Sequence, residues 1–486
     1  MKLKKALLSV LSTTAILTTC TGCDNLFIFI QDYLPNSSQS EVNERPNSGD
    51  VGSSENTDVT NPTTSSENVS DGYIPFNNTK NSIFFALYNY YGQDGQHFTN
   101  RWLGMKDALN NHGITVTGDS YQKDAKKFKI VREENCDLPE DAKIYMVNNQ
   151  TWDTGLQFTK PLTNYKPMAV ISTCNGVEFA SAQIKANSPG TQNATMGGFS
   201  ENYRNAFVDH SLSYLTGKYS CNIAPIVAAG ANAVRGNPLR TEKNEALRLS
   251  ITQWSMKSLA EYDYYKSIDV VGDDGQNPTI MKSDLDKFFT QGSEYNSAEK
   301  LTEWCANSTF ENIKAIYDAN RNAVDTPVTG EKIKVGLLVP GSVNETVQAN
   351  IDYISGYLAK VYNFEMLTKE EITSSNDQKK ACIAMCNKGA QLIISLQDDT
   401  NRNSAILEAN TRKVYFANAG TCQNDSDYAA TKECQYFIGS IGSSIDEERR
   451  ATREMTEYYL QKMIARARGE DITKDINRGT IFEGQE

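Results

Sequence analysis

The stretch KIKVGLLVPGSVNETVQANIDYISGYLAKVYNFEML, residues 332–367, decides the fold class. Residues 332–339 are an apolar run of the length expected for a strand buried on both faces. Residues 340–344 form a polar loop. Val347, Ile351, Ile354, Leu358 and Val361 then recur at helical spacing, and residues 364–367 read as the next strand. The rhythm continues through a helix at 376–388 closed by Gly389 and a strand at 391–396. A helix at 402–410, strands at 414–417 and 436–439, and a long helix at 446–467 follow. Alternation of this kind builds parallel sheets with right-handed crossovers and helices on both faces. The expected class is α/β, with doubly wound parallel sheets in Rossmann-like lobes.

Working back from that stretch, the first half opens in the same order. Residues 83–88 read as a strand and 89–97 as a polar, aromatic loop. Phe98, Trp102, Met105 and Leu109 fall on a helix that Gly113 closes, and 114–117 read as the second strand. Further strands are expected at 143–147, 168–172 and 223–228, with helices at 203–215 and 245–262. Two openings about 250 residues apart suggest two related units in tandem.

Residues 35–81 are Ser, Asn, Thr, Glu and Asp with few apolar side chains, a composition that cannot bury enough surface to fold. As a flexible coil this segment has an end-to-end distance of about 40 Å. Before it stand Lys2, Lys4 and Lys5, an apolar run at 6–17, and Thr-Gly-Cys23. That is the plan of an export signal. The Gly22-Cys23 ending resembles the bacterial lipobox, which implies a diacylated Cys23 as the first mature residue. Ordinary secretory cleavage and an uncleaved anchor are the alternatives. The expected organisation is a lipoprotein signal peptide at 1–22 and a lipid-anchored tether at 23–81. The first unit then spans 82–325 and the second 326–486, the latter with one lobe and the start of another.

Of 486 residues, 60 are acidic and 48 basic, a formal charge of −12. Losing three signal lysines makes the mature body more negative still. Such a surface repels phosphate backbones, so nucleic-acid partners are not expected. The chain holds only three histidines, His97, His112 and His210, and no metal-like pair among them. Asp269, Asp273 and Asp274 with Gly275 lack the spacing and terminal Glu of a calcium loop. Motifs for serine hydrolysis, zinc peptidase chemistry, phosphate cradling and dinucleotide binding are absent. No cofactor, metal or catalytic residue is expected. Cys422 and Cys434 flank a polar run and are candidates for a disulfide, with free thiols the alternative. Cys382 and Cys386, one helical turn apart, read as core.

The run at 332–367, with NKGAQLIISLQDD (387–399), RKVYFANAG (412–420) and YFIGSIGSSIDEERRATREMTEYYL (436–460), resembles the type I periplasmic-binding-protein superfamily. GGFSENYRNAFVDHSLSYLTGK (197–218) is similar to the segment in which that family crosses between lobes. The resemblance implies two hinged α/β lobes that close on a sugar or nucleoside and present it to the permease of an ABC importer.

Ligands of doubly wound sheets bind outside the carboxyl ends of the strands. That rule selects loops carrying Tyr90, Asp94, Trp152, Asp153 and Asn175 in the first half. In the second half it selects Asn344, Gln397, Asp398, Asn418 and Asp446. Aromatic faces beside short amides and carboxylates suit a small polar solute. The expected function is therefore extracytoplasmic capture of such a solute by a protein anchored to the bacterial cell membrane. A surface sensor or adhesin on the same fold is the alternative, and a carboxylate-dependent glycan enzyme is the third.

Overall fold

The computed structural model describes residues 80–472 apart from 89–94, 118–128, 150–161, 173–183, 273–275, 342, 373 and 398–401. β1 (Ser82–Tyr88) leads into α1 (Gly95–Asn111), and then the antiparallel pair β2 (Ile114–Thr117) and β3 (Lys129–Arg132). β4 (Lys143–Asn149), β5 (Ala169–Ser172), β6 (Gln192–Met196), α2 (Glu201–Val208) and β7 (Leu212–Gly217) follow. A 3-10 turn at Ser220–Ile223 opens α3 (Ala224–Val234), succeeded by β8 (Leu247–Ser250) and β9 (Trp254–Met256). Four helices come next: α4 (Leu259–Ile268), α5 (Lys282–Asp286), α6 (Ala298–Ala306) and α7 (Phe310–Asn320). β10 (Ile333–Pro340) begins the second alternating run. It continues with α8 (Glu345–Asp352), extended by π-helical Tyr353–Leu358 and by Ala359–Val361, then β11 (Phe364–Ile372) and α9 (Ser375–Asn387). β12 (Leu392–Ser395), α10 (Arg402–Thr411), β13 (Tyr415–Asn418), α11 (Asp425–Thr431), β14 (Phe437–Gly442) and α12 (Ile445–Ala467) complete it.

Two six-stranded sheets result, ordered β4-β1-β5-β6-β7-β9 and β11-β10-β12-β13-β14-β8. All neighbours are parallel except β7 and β9. The doubly wound, Rossmann-like lobes expected from the sequence are therefore present, with strand order reversing at β1 in one and β10 in the other.

How the lobes share the chain differs from two tandem units. β8, from the first half, pairs with β14 at the edge of the second sheet. α12, from the end of the second half, packs against α1, β5 and β7 of the first lobe. α3 crosses the other way and lies on β12, β13 and β14, where a Cβ on Gly230 would sit 2.8 Å from Leu392. The second half thus does not lack a lobe: the crossing after YFIGSIG returns to the lobe already built by the first half.

Three larger cores follow from this exchange among the described residues, beside a small cluster of Phe84, Leu162, Val170 and Ile184. One runs through both lobes, joining Phe199, Leu215 and Trp254 to Val335, Ile394 and Ile441. A second buries Ile83, Phe85, Trp102 and Met105 under Met455, Tyr459 and Met463 of α12. The third covers the outer face of the second sheet with Met385 and Ile406. Cys382 lies in this third core and Cys386 packs at its edge, consistent with packing roles.

Local chemistry explains where the expected elements moved. The helix expected at 203–215 stops at Val208, because His210 adopts φ +59 and turns the chain toward β7, which begins at Leu212. The apolar run at 223–228 is helical instead, with Pro225 in its first turn and an Ala-rich continuation. The helix expected at 245–262 is two short strands and then α4, whose N-cap Ser258 accepts from Glu261 N. Gly113 and Gly389 close α1 and α9 at φ +71 and +86, as their sequence positions required.

Candidate functional site

The carboxyl ends of the two sheets face one another across a seam. From the first lobe come the turns after β6 and β7; from the second come those after β10, β12, β13 and β14. Gly198 is in the turn after β6, and a Cβ there would lie 2.2 Å from Thr346 Oγ1, so only glycine lets the lobes approach this closely. Glu345, in the first turn of α8, accepts the Glu201 N–H at 3.0 Å and so caps α2 from the opposite lobe. Deeper in, Lys218 donates from Nζ to the Gly420 carbonyl at 3.1 Å. Gln253, between β8 and β9, donates from Nε2 to Ser443 Oγ at 2.8 Å and from its backbone N–H to Glu447 Oε1 at 2.6 Å. The two crossings are tied together there.

Beside these contacts lies a group of buried amides at the end of the second sheet. Gln397, just past β12, is 1% exposed, and neither end of its side-chain amide has a hydrogen-bond partner. Its backbone N–H donates to Ser395 Oγ, which also accepts from Gln378 Nε2, and Gln378 Oε1 is left unpaired. Gln423 Oε1 and Asn403 Oδ1 are unpaired as well. More than nine in ten buried polar groups in folded proteins are hydrogen-bonded. The unpaired amide atoms of Gln397 and Gln378 come together around Ser395, at the end of β12, and leave hydrogen-bonding capacity unused there. Gly420 places this group next to the interlobe contact: a Cβ on it would sit 2.7 Å from the Gln397 carbonyl, and its own carbonyl receives Lys218.

Of the residues chosen from sequence, Gln397 and Asn418 meet here. Asn418 is fully buried and shapes the turn, donating to the Thr421 carbonyl and accepting from Gly420 N–H. Asn344 caps α8, accepting the Val347 N–H at 2.8 Å. Asp446 faces solvent on α12. Tyr90, Asp94, Trp152, Asp153, Asn175, Asp398 and the lipidation candidate Cys23 lie outside the described residues. Gln253 was missed because a helix was expected over 245–262; Gly198 and Lys218, at the two ends of the 197–218 segment, and Ser443, in the same strand-end loop as Asp446, were not singled out.

The disulfide candidate is not formed: neither Cys422 nor Cys434 is in a disulfide. The polar run between them folds as α11, about 10 Å of helix, and puts them at opposite ends of it. The charged start of α12 is in part a docking surface. Arg450 does pair within the helix, with Glu447 and Glu454. Glu448, however, is buried against His97 (3.1 Å) and Arg101 (2.9 Å), and Arg449 pairs with Asp107 of α1. Burial alone would raise the Glu448 carboxyl, but the Arg101 and His97 charges reverse this and hold it well below the usual range. No helix among the described residues is long and apolar enough to cross a membrane.

No family model matches the chain, and no curated protein does. Among solved structures it is similar to GanP, a glucose-galactose binding protein from Geobacillus stearothermophilus, at 9% identity. That match covers 81% of this chain and 92% of the other, with a TM-score of 0.39. An ABC transporter solute-binding protein from Clostridium phytofermentas with bound L-rhamnose matches at 8%, over 82% and 84%, with a TM-score of 0.37. The transcription regulator CcpA of Lactococcus lactis matches at 8%, over 82% and 94%, with a TM-score of 0.38. Likeness at this level assigns the chain neither a ligand nor a role.

Proposed function

We propose that this protein is an extracytoplasmic binding lipoprotein, anchored through Cys23, that holds a small polar solute in the seam between its lobes. A sugar or nucleoside suits the amide group around Gln397, because hydroxyls both donate and accept and need no charged partner. Delivery to the permease of an ABC importer belongs to the same reading, with capture resting on lobe closure and no covalent step. The single observation that carries it is Gln397, an amide buried at the strand-end seam with both of its hydrogen-bonding ends unpaired.

The test is a thermal-shift screen of the purified protein against monosaccharides, nucleosides and amino acids. A solute at 100 times its dissociation constant adds about 2.7 kcal/mol. Absence of any shift across the sugars and nucleosides refutes the assignment. Anchoring is tested separately, by labelling cells with a fatty acid: the label should appear on the wild-type chain and be lost in Cys23→Ser.

A further inference from the structure

Far from the seam, α9 and α10 lie side by side on the outer face of the second sheet, and α9 carries two thiols one turn apart, Cys382 and Cys386. Cys382 is buried against α10, where its Sγ donates to the Ala405 carbonyl at 3.3 Å. Cys386 is half-buried at the rim. The two thiols hydrogen-bond to each other, so an ion that reaches Cys386 from solvent also meets the Cys382 sulfur. The bond to Ala405 uses the thiol proton and leaves the sulfur lone pairs free. Beside the thiols runs a row of ion pairs, Lys379 to Glu408 at 3.1 Å and Arg412 to Glu408 at 3.2 Å.

Helix geometry restricts what this pair can do. Cβ atoms one helical turn apart are about 5–6 Å from each other, whereas a disulfide holds them at about 3.5–4.5 Å. The pair cannot close into a disulfide while α9 stays helical. The same spacing suits an ion placed between the sulfurs, since two metal–thiolate bonds of about 2.3 Å span about 4.6 Å. Among the described residues no group of three or more His, Cys, Asp and Glu could hold a metal ion. Two soft ligands suit a two-coordinate ion such as Cu(I) rather than tetrahedral zinc. The hydrogen bond from Cys382 and the charge of Arg412 hold the Cys386 thiol below its ordinary value, while Cys382, bonded to Cys386 and buried, is pushed up. The thiolate is thus favoured at the rim, where an ion arrives.

We infer that Cys382 and Cys386 form a binding site for a soft, two-coordinate metal ion of the Cu(I) class, bridging the two sulfurs. No oxidation state changes on binding: one Cu(I) and two thiols give a bis-thiolate carrying one negative charge, and two protons leave. Lys379 and Arg412, around the single carboxylate of Glu408, leave one positive charge to balance it.

Competition for Cu(I) against bicinchoninate, in ascorbate and without added thiols, tests this on the full chain. Wild type should withdraw one equivalent of Cu(I), and Cys386→Ser should weaken that uptake about a hundredfold. Cys23→Ser, Cys136→Ser and Cys434→Ser, at other thiols of the chain, should leave it unchanged. X-ray absorption of the loaded wild type should show two sulfur ligands and no others, a readout that needs no variant to fold. Failure to take Cu(I) from the chelator overturns the inference. So does uptake that survives Cys386→Ser, uptake that any of the three control substitutions abolishes, or coordination by three or more ligands.

Discussion

At the scale of single residues, Gln397 and His112 make opposite kinds of prediction. The unpaired, buried amide of Gln397 costs roughly 1–3 kcal/mol, the usual penalty for an unsatisfied polar group. Gln397→Leu keeps the volume and removes the amide, so the solute-free protein should unfold at higher urea concentration while solute binding is lost. A variant less stable than wild type would show that the amide is structural. His112 joins Asp137 (2.9 Å) and Glu457 of α12 (2.6 Å). Burial works to lower its pKa, yet the hydrogen bonds and charges of these two partners raise it above 6.5. Because the folded value exceeds the unfolded one, the contribution is complete below pH 6.5 and fades as pH rises through the raised value. His112→Ala should therefore lose more stability at about pH 6 than at about pH 9, near the range where histidine titrates. An equal loss at both would mean that only packing is involved. Gln397 was readable from the strand-end rule, since it follows the plain strand run at 391–396. The His112 clamp was not, because its partners lie 25 and 345 residues away.

At the scale of elements, the crossings carry the architecture. α12 is fastened to α1 by the buried group of Glu448, His97 and Arg101 and by the Arg449–Asp107 pair. Removing one partner of a buried charge group costs about 3–5 kcal/mol, so Glu448→Gln should destabilise by that order in chemical unfolding. A loss below 1 kcal/mol would contradict the buried clamp. Gly198 is the matching device between β6 and α8. Gly198→Ala puts a methyl against Thr346 Oγ1 and should weaken solute binding, and Thr346→Ala in the same chain should restore part of it. No rescue would mean that the seam is not held closed there. The alternating elements of the second half were legible because their apolar periods are clean and their ends carry caps such as Asn344, Ser374 and Ser444. Residues 203–262 were not. There a positive-φ histidine, a buried Ala-rich helix and three- and four-residue strands give no period long enough to read.

For the whole molecule, the exchange of β8, α3 and α12 makes each lobe depend on the other half of the chain. One core passes through both. Calorimetry should accordingly show a single cooperative transition for the body, and two separate transitions would mean that the lobes are independent units. Sequence alone gave the parallel lobes but paired them wrongly, since strand order along the chain does not say which sheet a short edge strand joins. The central claim is that these lobes clasp a small polar solute against Gln397. Its most direct test is a thermal-shift titration of wild type and Gln397→Leu with a panel of monosaccharides and nucleosides. The account predicts that at least one of them raises the wild-type melting temperature and leaves that of the variant unmoved. A shift of equal size in both proteins, or none in either, would contradict it.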